Sequence, residues 1–314
     1  MKNSKSKIPF KQRLAKKELI KNGGRYLLLL PAIVFIVIFA YLPMIGIIIA
    51  FEDYDPARGI LGSKFVGLEN FKFFFSGSKW LEVTVNTLYL NIIFIITGTI
   101  ASLIIAIVLS ELNKKIFLKV SQTFMTLPNF VSWASIALFS VAFLSADGII
   151  NSLIVKMGGN AISFSTDPSV WRFTFVVIRI WKGAGWGSII YLASITGISP
   201  ELYEAAKIDG ASRLQCIFRI TLPLLKSVVI IQLLLSIGNV FRGDFGMIYP
   251  FIGDNALLYS TTDVIDTYVY RAVRTQSDFS KTMAVGLYQS IMGLIMVFVA
   301  NGLTKRYAPE SSLF

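Results

Sequence analysis

Residues 26–51 read YLLLLPAIVFIVIFAYLPMIGIIIAF, an apolar run without a single charge. A helix needs about 20 apolar residues to cross a bilayer core about 30 Å thick, and this run exceeds that. Five more follow, at 84–109, 121–144, 170–194, 227–249 and 282–303, so that the six runs are 22 to 26 residues long. Lipid offers no partner to a bare backbone N–H or C=O, so each run is predicted to be helical. The fourth is the least clean, because it holds Arg172, Arg179 and Lys182. The expected fold is an all-α integral membrane protein with six transmembrane helices. With 54% hydrophobic and 15% charged residues, against about 25% charged in a soluble domain, a soluble enzyme, a disordered chain and a collagen-like chain are excluded. The first run is too long for a cleaved signal, lacks an A-x-A exit, and continues past Tyr41-Leu42-Pro43.

The residues that are missing also exclude chemistry. There is no histidine, so imidazole bases, His-metal sites and Ser-His-Asp triads are impossible. One cysteine, Cys216, makes neither an intrachain disulfide nor a cysteine metal cluster. No metal site and no cofactor of the chain's own is expected. No GxxxxGK[ST] phosphate loop occurs, and the glycines of Gly183-Ala184-Gly185-Trp186-Gly187 lack a following Lys-Ser/Thr. The chain is not expected to be an enzyme.

The net charge of +12 is mainly a topology signal. Six spans place both termini on one side. With the N-terminus inside, the inner segments 1–25, 110–120, 195–226 and 304–314 carry 18 Lys/Arg, against 8 in the outer segments 52–83, 145–169 and 250–281. That bias predicts cytoplasmic termini, and no nucleic-acid partner is needed to explain the charge. Residues 1–25 form a basic segment in which KQRLAKKELIK either lies as an amphipathic helix on anionic membrane lipid or acts as a stop against translocation. Residues 26–303 read as one membrane domain, without internal repeat or linker, and 304–314 as a cytoplasmic tail.

The inner loop at about 195–226 is amphipathic and too polar to span. Ser199-Pro200-Glu201 is a helix start, with Ser as N-cap, Pro at the first position and an acid at the positive end of the dipole. Glu204-Ala205-Ala206-Lys207 continues the helix, and Asp209-Gly210 ends it in the left-handed conformation glycine tolerates. Ala211 to Arg219 restarts a helix, and Ile220-Thr221-Leu222-Pro223 leads back into the membrane. The segment is predicted to be a rigid helix–turn–helix knob on the membrane surface.

Glu204-Ala205-Ala206, three residues, Gly210, nine residues, then Ile220-x-Leu222-Pro223 resembles the signature of permease subunits of binding-protein-dependent ABC importers. The likeness extends through YLPMIGIIIAF, GSKFVGLENFKFFF, LPNFVSW, IWKGAGW, GNVFRGDF, TTDVIDTYVYR and GLYQS. Together these are similar to the polysaccharide branch of sugar permeases of the maltose and multiple-sugar type, over roughly 26–314. One place departs. The aromatic common seven residues after the motif glycine is Ile217 here, with Phe218 next.

The resemblance implies a type I ABC importer fold and a coupling helix seated in a cleft of a separate cytoplasmic ATPase. Glu204 would pair with a basic residue there and Gly210 would allow the turn. Ala205 and Ala206 would let the helix seat closely, and Asp209 and Ala211 would flank the turn. It further implies a second, non-identical permease, two ATPase copies that bind ATP and Mg, an extracytoplasmic sugar-binding lipoprotein, an oligosaccharide substrate, and residence in a bacterial cytoplasmic membrane. Closure of the ATPases would rock the permeases between inward- and outward-open forms.

Charges inside spans cost about 2.5–3.5 kcal/mol each on insertion scales, so they ask for a role. Arg179, Lys182 and Trp186 share one face of the fourth run. They suit a polar, aromatic stripe facing a water-filled cavity that passes sugar, or else a contact to the partner permease, or snorkelling. Two cations favour an acidic sugar, and a neutral one is equally compatible. Arg172 reads as a snorkelling residue. Asn129 and Trp133, four apart after Pro128, read as a sugar-contact face or as packing. Asn239 and Asp244 are substrate candidates near the outer end of the fifth run, unless Arg242 and Asp244 neutralise each other. The outer acids dock a binding protein or are solvated loops. TTDVIDTYVYR reads as a short helix at the outer face, with Tyr268 and Tyr270 on its surface. A stand-alone channel or ion-coupled carrier is the competing class. It needs no coupling knob, and a carrier needs mid-membrane acids that this chain lacks. An intramembrane enzyme lacks its His or paired acids.

Overall fold

The computed structural model describes residues 22–312 apart from Ser78, Asn113, Ser277 and Ala308. The basic stretch up to Lys21 and the terminal Phe314 lie outside these residues. Helices dominate: α1 (Gly23–Phe51), α2 (Glu69–Phe75), α3 (Lys79–Ser110), α4 (Lys115–Thr126), α5 (Trp133–Leu144), α6 (Ile149–Lys156), α7 (Trp171–Thr196), α8 (Pro200–Ile208), α9 (Arg213–Ile237), α10 (Phe245–Ile252), α11 (Ile265–Gln276) and α12 (Phe279–Tyr307). A two-stranded antiparallel ribbon pairs Glu52 with Phe65 and Asp53 with Lys64.

Five stretches among the described residues are long and apolar enough to cross a membrane: α1, α3, Trp133–Lys156, α9 and α12. Helix α7 is 26 residues long, about 39 Å at 1.5 Å per residue, and is less apolar, carrying three cations. It lies along α3, and the two make the most extensive helix–helix contact among the described residues. One core cluster joins these two to α10 through Leu90, Phe94, Trp171, Phe175, Met247 and Ile248. A second joins them to α9 through Ala106, Leu109, Tyr191, Leu192 and Leu225. Close approach depends on glycine. A Cβ on Gly185 would strike the Met125 carbonyl at the end of α4, and one on Gly187 would strike the Ser102 hydroxyl of α3.

Two of the six apolar runs are interrupted. The run 121–144 is not one helix: α4 ends at Thr126, Leu127–Phe130 forms a 3-10 turn, Val131 and Ser132 are extended, and α5 begins at Trp133. Pro128 cannot donate to the preceding turn, and the Ser132 hydroxyl accepts from the Ser135 N–H at 3.1 Å, capping a new helix. Asn129 and Trp133 therefore do not share a helix face. The run 227–249 also divides. Helix α9 starts earlier, at Arg213, and ends at Ile237, and a turn through Gly238–Gly243 precedes α10. Elsewhere Leu-Pro pairs are absorbed without a break. Π-turns at Val37–Tyr41 and Ile217–Thr221 precede Pro43 and Pro223, supplying the wider turn that accommodates a missing N–H.

At the end of the bundle opposite α8, α11 occupies the TTDVIDTYVYR segment. Tyr270 is exposed, whereas Tyr268 is half-buried and packs on Phe74, with ring centroids 6.2 Å apart. Asp263, fully buried, accepts from Thr267 at 2.7 Å and from Arg271 at 2.5 Å.

Candidate functional site

The knob takes the form its sequence sets. Pro200 opens α8 with Glu201 in its first turn, although the Ser199 hydroxyl makes no capping bond. Gly210 has φ +78, a conformation costly for other residues. The Gly210 and Ala211 N–H groups return to the Lys207 and Ala206 carbonyls at 3.1 and 2.9 Å, closing the helix end. The next helix starts at Arg213, two residues beyond Ala211. Ser212 caps it and Gln215 completes a capping box. Glu204, Ala205, Asp209, Gly210 and Pro223 are exposed, while Ala206, Ala211, Ile220 and Leu222 are half-buried. Ile208, Leu214 and Phe218 are exposed beside them. The Tyr203 hydroxyl meets that of Thr221 at 3.0 Å, tying α8 to the base of α9.

The intramembrane residues separate into two groups. Lys182 is buried, and its ammonium donates to the carbonyls of Asn129 and Val131, both at 2.7 Å, and to that of Pro128 at 3.4 Å. It sits 5.1 Å from the centre of the Trp133 ring. These carbonyls face the break between α4 and α5; that of Pro128 also accepts from the Val131 N–H at 3.2 Å, whereas those of Asn129 and Val131 lie beyond the last turn of α4, and a cation there meets the negative end of that helix. Asn129, Trp133 and Lys182 therefore form a clasp on a helix break.

The second group lines a groove of about 590 Å³ between α3, α7 and α9, where Arg179, Trp186 and Asn239 come together. Sequence reasoning missed their companions Asn91, Thr99 and Ser102 on α3, and Gln232 and Ser236 on α9. A signal existed: Gln232, Ser236 and Asn239 fall at helical spacing in an apolar run, as do Asn91, Thr99 and Ser102. Trp186 is half exposed and meets Phe130 edge-on at 5.9 Å. A larger hollow of about 890 Å³ beside α5, α6 and α7 is walled by residues such as Phe139, Phe143, Phe173 and Trp181. Its wall is almost wholly apolar, whereas the groove carries several polar side chains.

Asp244 pairs with Arg179 at 2.6 Å, not with Arg242. Its other oxygen accepts from the Met247 N–H at 3.1 Å, capping α10. Arg242 instead stands near Asp266 and lines a separate cavity with it. Asp266 accepts from the Gly243 N–H at 2.5 Å and from Gln289 at 2.8 Å, and burial raises its carboxyl above the usual range. Arg172 is not a snorkelling residue. It donates to Asn86 at 2.9 Å and lies 4.4 Å from the Tyr89 ring centre, joining α7 to α3. Asn91 donates to the Val240 and Arg242 carbonyls at 3.0 and 2.9 Å, pinning the turn after α9 to α3. Because Arg179 and Lys182 are both engaged, the fourth run presents no pair of unpartnered cations.

Comparison with known proteins completes the description. The family described as "Binding-protein-dependent transport system inner membrane component" matches residues 98–309. The chain is 39% identical over 307 residues to the polygalacturonan/rhamnogalacturonan transport system permease protein YteP of Bacillus subtilis (strain 168), covering 96% of this chain and 95% of that protein. Protein LplB of the same organism is 40% identical over 286 residues, covering 91% and 89%. Among solved structures, the fold matches a bacterial alginate ABC transporter in complex with an alginate pentasaccharide-bound periplasmic protein. The TM-score is 0.83 at 32% identity, over 93% of this chain and 97% of that chain. A bacterial ABC transporter involved in the import of the acidic polysaccharide alginate matches with TM-score 0.84 at 32% identity, over 94% and 99%.

Proposed function

This chain belongs to the family of binding-protein-dependent transport system inner membrane components and is a multi-pass permease of an ABC sugar importer, and from that footing we propose that it passes an acidic oligosaccharide inward by alternating access. The groove between α3, α7 and α9 is its share of the pathway. A second, non-identical permease closes the other side. Neutral polar side chains such as Asn91, Gln232, Ser236 and Asn239 meet sugar hydroxyls, and Trp186 offers a ring face for stacking. The acidic substrate is supported by relatives whose names specify polygalacturonan, rhamnogalacturonan and alginate. It is not supported by a pair of unpartnered cations in the spans, since Lys182 is committed to carbonyls and Arg179 is paired through Nη1 with Asp244.

Energy enters from outside the chain. Two copies of a cytoplasmic ATPase bind ATP and Mg, and this subunit performs no catalysis. The observation that carries the coupling is the geometry of α8. Its Glu204 is exposed on a rigid helix closed by Gly210 and tied to α9 through Tyr203 and Thr221. Glu204 meets a basic residue of the ATPase, with the exposed Ile208, Leu214 and Phe218 as the apolar part of the contact. On this reading α8 and both termini lie in the cytoplasm of a bacterium, and α10 and α11 face an extracytoplasmic binding lipoprotein. The division into a basic N-terminal segment, a domain at 26–303 and a tail at 304–314 follows from the same topology.

Affinity purification of the tagged chain in mild detergent, beside Glu204→Lys, tests this. A second permease and an ATPase should accompany the wild type, and the variant should lose the ATPase and keep the permease. A chain that purifies alone, or a variant that keeps its ATPase, contradicts the coupling role.

A further inference from the structure

We propose that Arg179 selects for a carboxylate-bearing sugar in the groove and that Asp244 sets the strength of that selection by occupying one side of the guanidinium. The inference rests on reading the groove as the sugar pathway. Arg179 lines the groove, whereas Asp244 is not among the residues that line it. Both hydrogen bonds of the guanidinium leave from Nη1, to Asp244 Oδ2 at 2.6 Å and to Met247 Sδ at 3.6 Å. Among the described residues, Nε and Nη2 have no hydrogen-bond partner. The Phe94 ring lies 4.7 Å from the guanidinium carbon and restrains the plane of the group.

A guanidinium presents paired donors whose spacing matches a carboxylate. With Asp244 held at Nη1, the Nε–Nη2 edge remains for a uronate carboxylate. Among the described residues, no other cation lines the groove. Lys182 is committed to backbone carbonyls, and Arg242 lies outside the groove lining. Asp244 has a second anchor at the Met247 N–H, so it stays in place when a substrate carboxylate arrives. Its charge opposes that carboxylate. The pair therefore recognises an acidic residue and holds it weakly enough to release it, which passage through a transporter requires.

The test is uptake by the complete transporter in proteoliposomes, with KM and Vmax measured for a galacturonate trimer and for its methyl ester. Arg179→Gln should raise KM for the acid at least about tenfold, the loss of one charge-assisted bond, and Arg179→Lys should fall between. Asp244→Asn keeps an oxygen for the Met247 cap and should lower KM for the acid severalfold. A merely structural pair would not give opposite signs for its two members. A higher KM in Asp244→Asn, or an equal effect of Arg179→Gln on acid and ester, overturns the inference while leaving the sugar pathway standing. A wild type that does not import the acid overturns the pathway's acidic reading, and this inference with it.

Discussion

Replacing Lys182 by Met removes the clasp on the break between α4 and α5 while keeping a side chain of similar length. The ammonium makes two short bonds, at 2.7 Å to the Asn129 and Val131 carbonyls, and a longer one at 3.4 Å to that of Pro128. Hydrogen bonds from a charged donor contribute about 1.5–3 kcal/mol each, so the two short ones amount to roughly 3–6 kcal/mol. Removing the ammonium also removes the cost of burying it, which offsets part of that sum. A net loss of about 2–4 kcal/mol remains, because the Asn129 and Val131 carbonyls stay where no helical N–H reaches them. At about 2–4 °C per kcal/mol for a chain of this order of size, the melting temperature in detergent should fall by roughly 4–16 °C. Lys182→Gln keeps two N–H donors on a shorter stem and should recover part of the loss. Thermal challenge followed by size-exclusion chromatography measures both. A Met variant that melts with the wild type, or a Gln variant less stable than the Met variant, would refute the reasoning.

Gly210→Ala meets no atom within 4 Å, so its effect comes from φ +78 alone; a strain of about 1 kcal/mol should leave the permease folded but weaken its retention of the ATPase in pull-down. Gly185→Ala drives a Cβ into the Met125 carbonyl, whereas Gly183→Ala meets nothing. The first should abolish a monodisperse detergent peak and the second should not. Asp263→Ala leaves Arg271, 19% exposed, without its carboxylate, and should cost about 3–5 kcal/mol, read as a lower melting temperature. Asp266→Asn keeps an acceptor for Gly243 and Gln289 and removes a charge that burial disfavours. It should melt at or above the wild type, and Asp266→Ala below it.

The membrane class and the knob were legible in the sequence because both are local. An uncharged run of spanning length admits few structures, and Pro200, Gly210 and the Glu204-Ala205-Ala206 helix are set by neighbours within one or two turns. The interrupted runs were not legible. Pro128 shows in the sequence, but the break it begins is held by Lys182, more than 50 residues away. The same limit misassigned Asp244. Arg242 is its near neighbour in sequence, and Arg179, 65 residues away, is its partner in space. Arg179 and Lys182 share a helical face in the sequence but reach opposite structures, one the groove and the other the break. The α3 and α9 polar residues of the groove went unread because each is ordinary alone; only the packing of three helices makes them a lining.

ATP-dependent uptake into proteoliposomes tests the account most directly. The vesicles hold this chain with its partner permease, ATPase and binding protein, and radiolabelled oligogalacturonate is supplied outside. Uptake should require ATP within the vesicle lumen when α8 faces the lumen, and should vanish in Glu204→Lys although the two permeases remain assembled. Uptake that persists in Glu204→Lys, or that proceeds without the ATPase, would contradict a permease driven through α8.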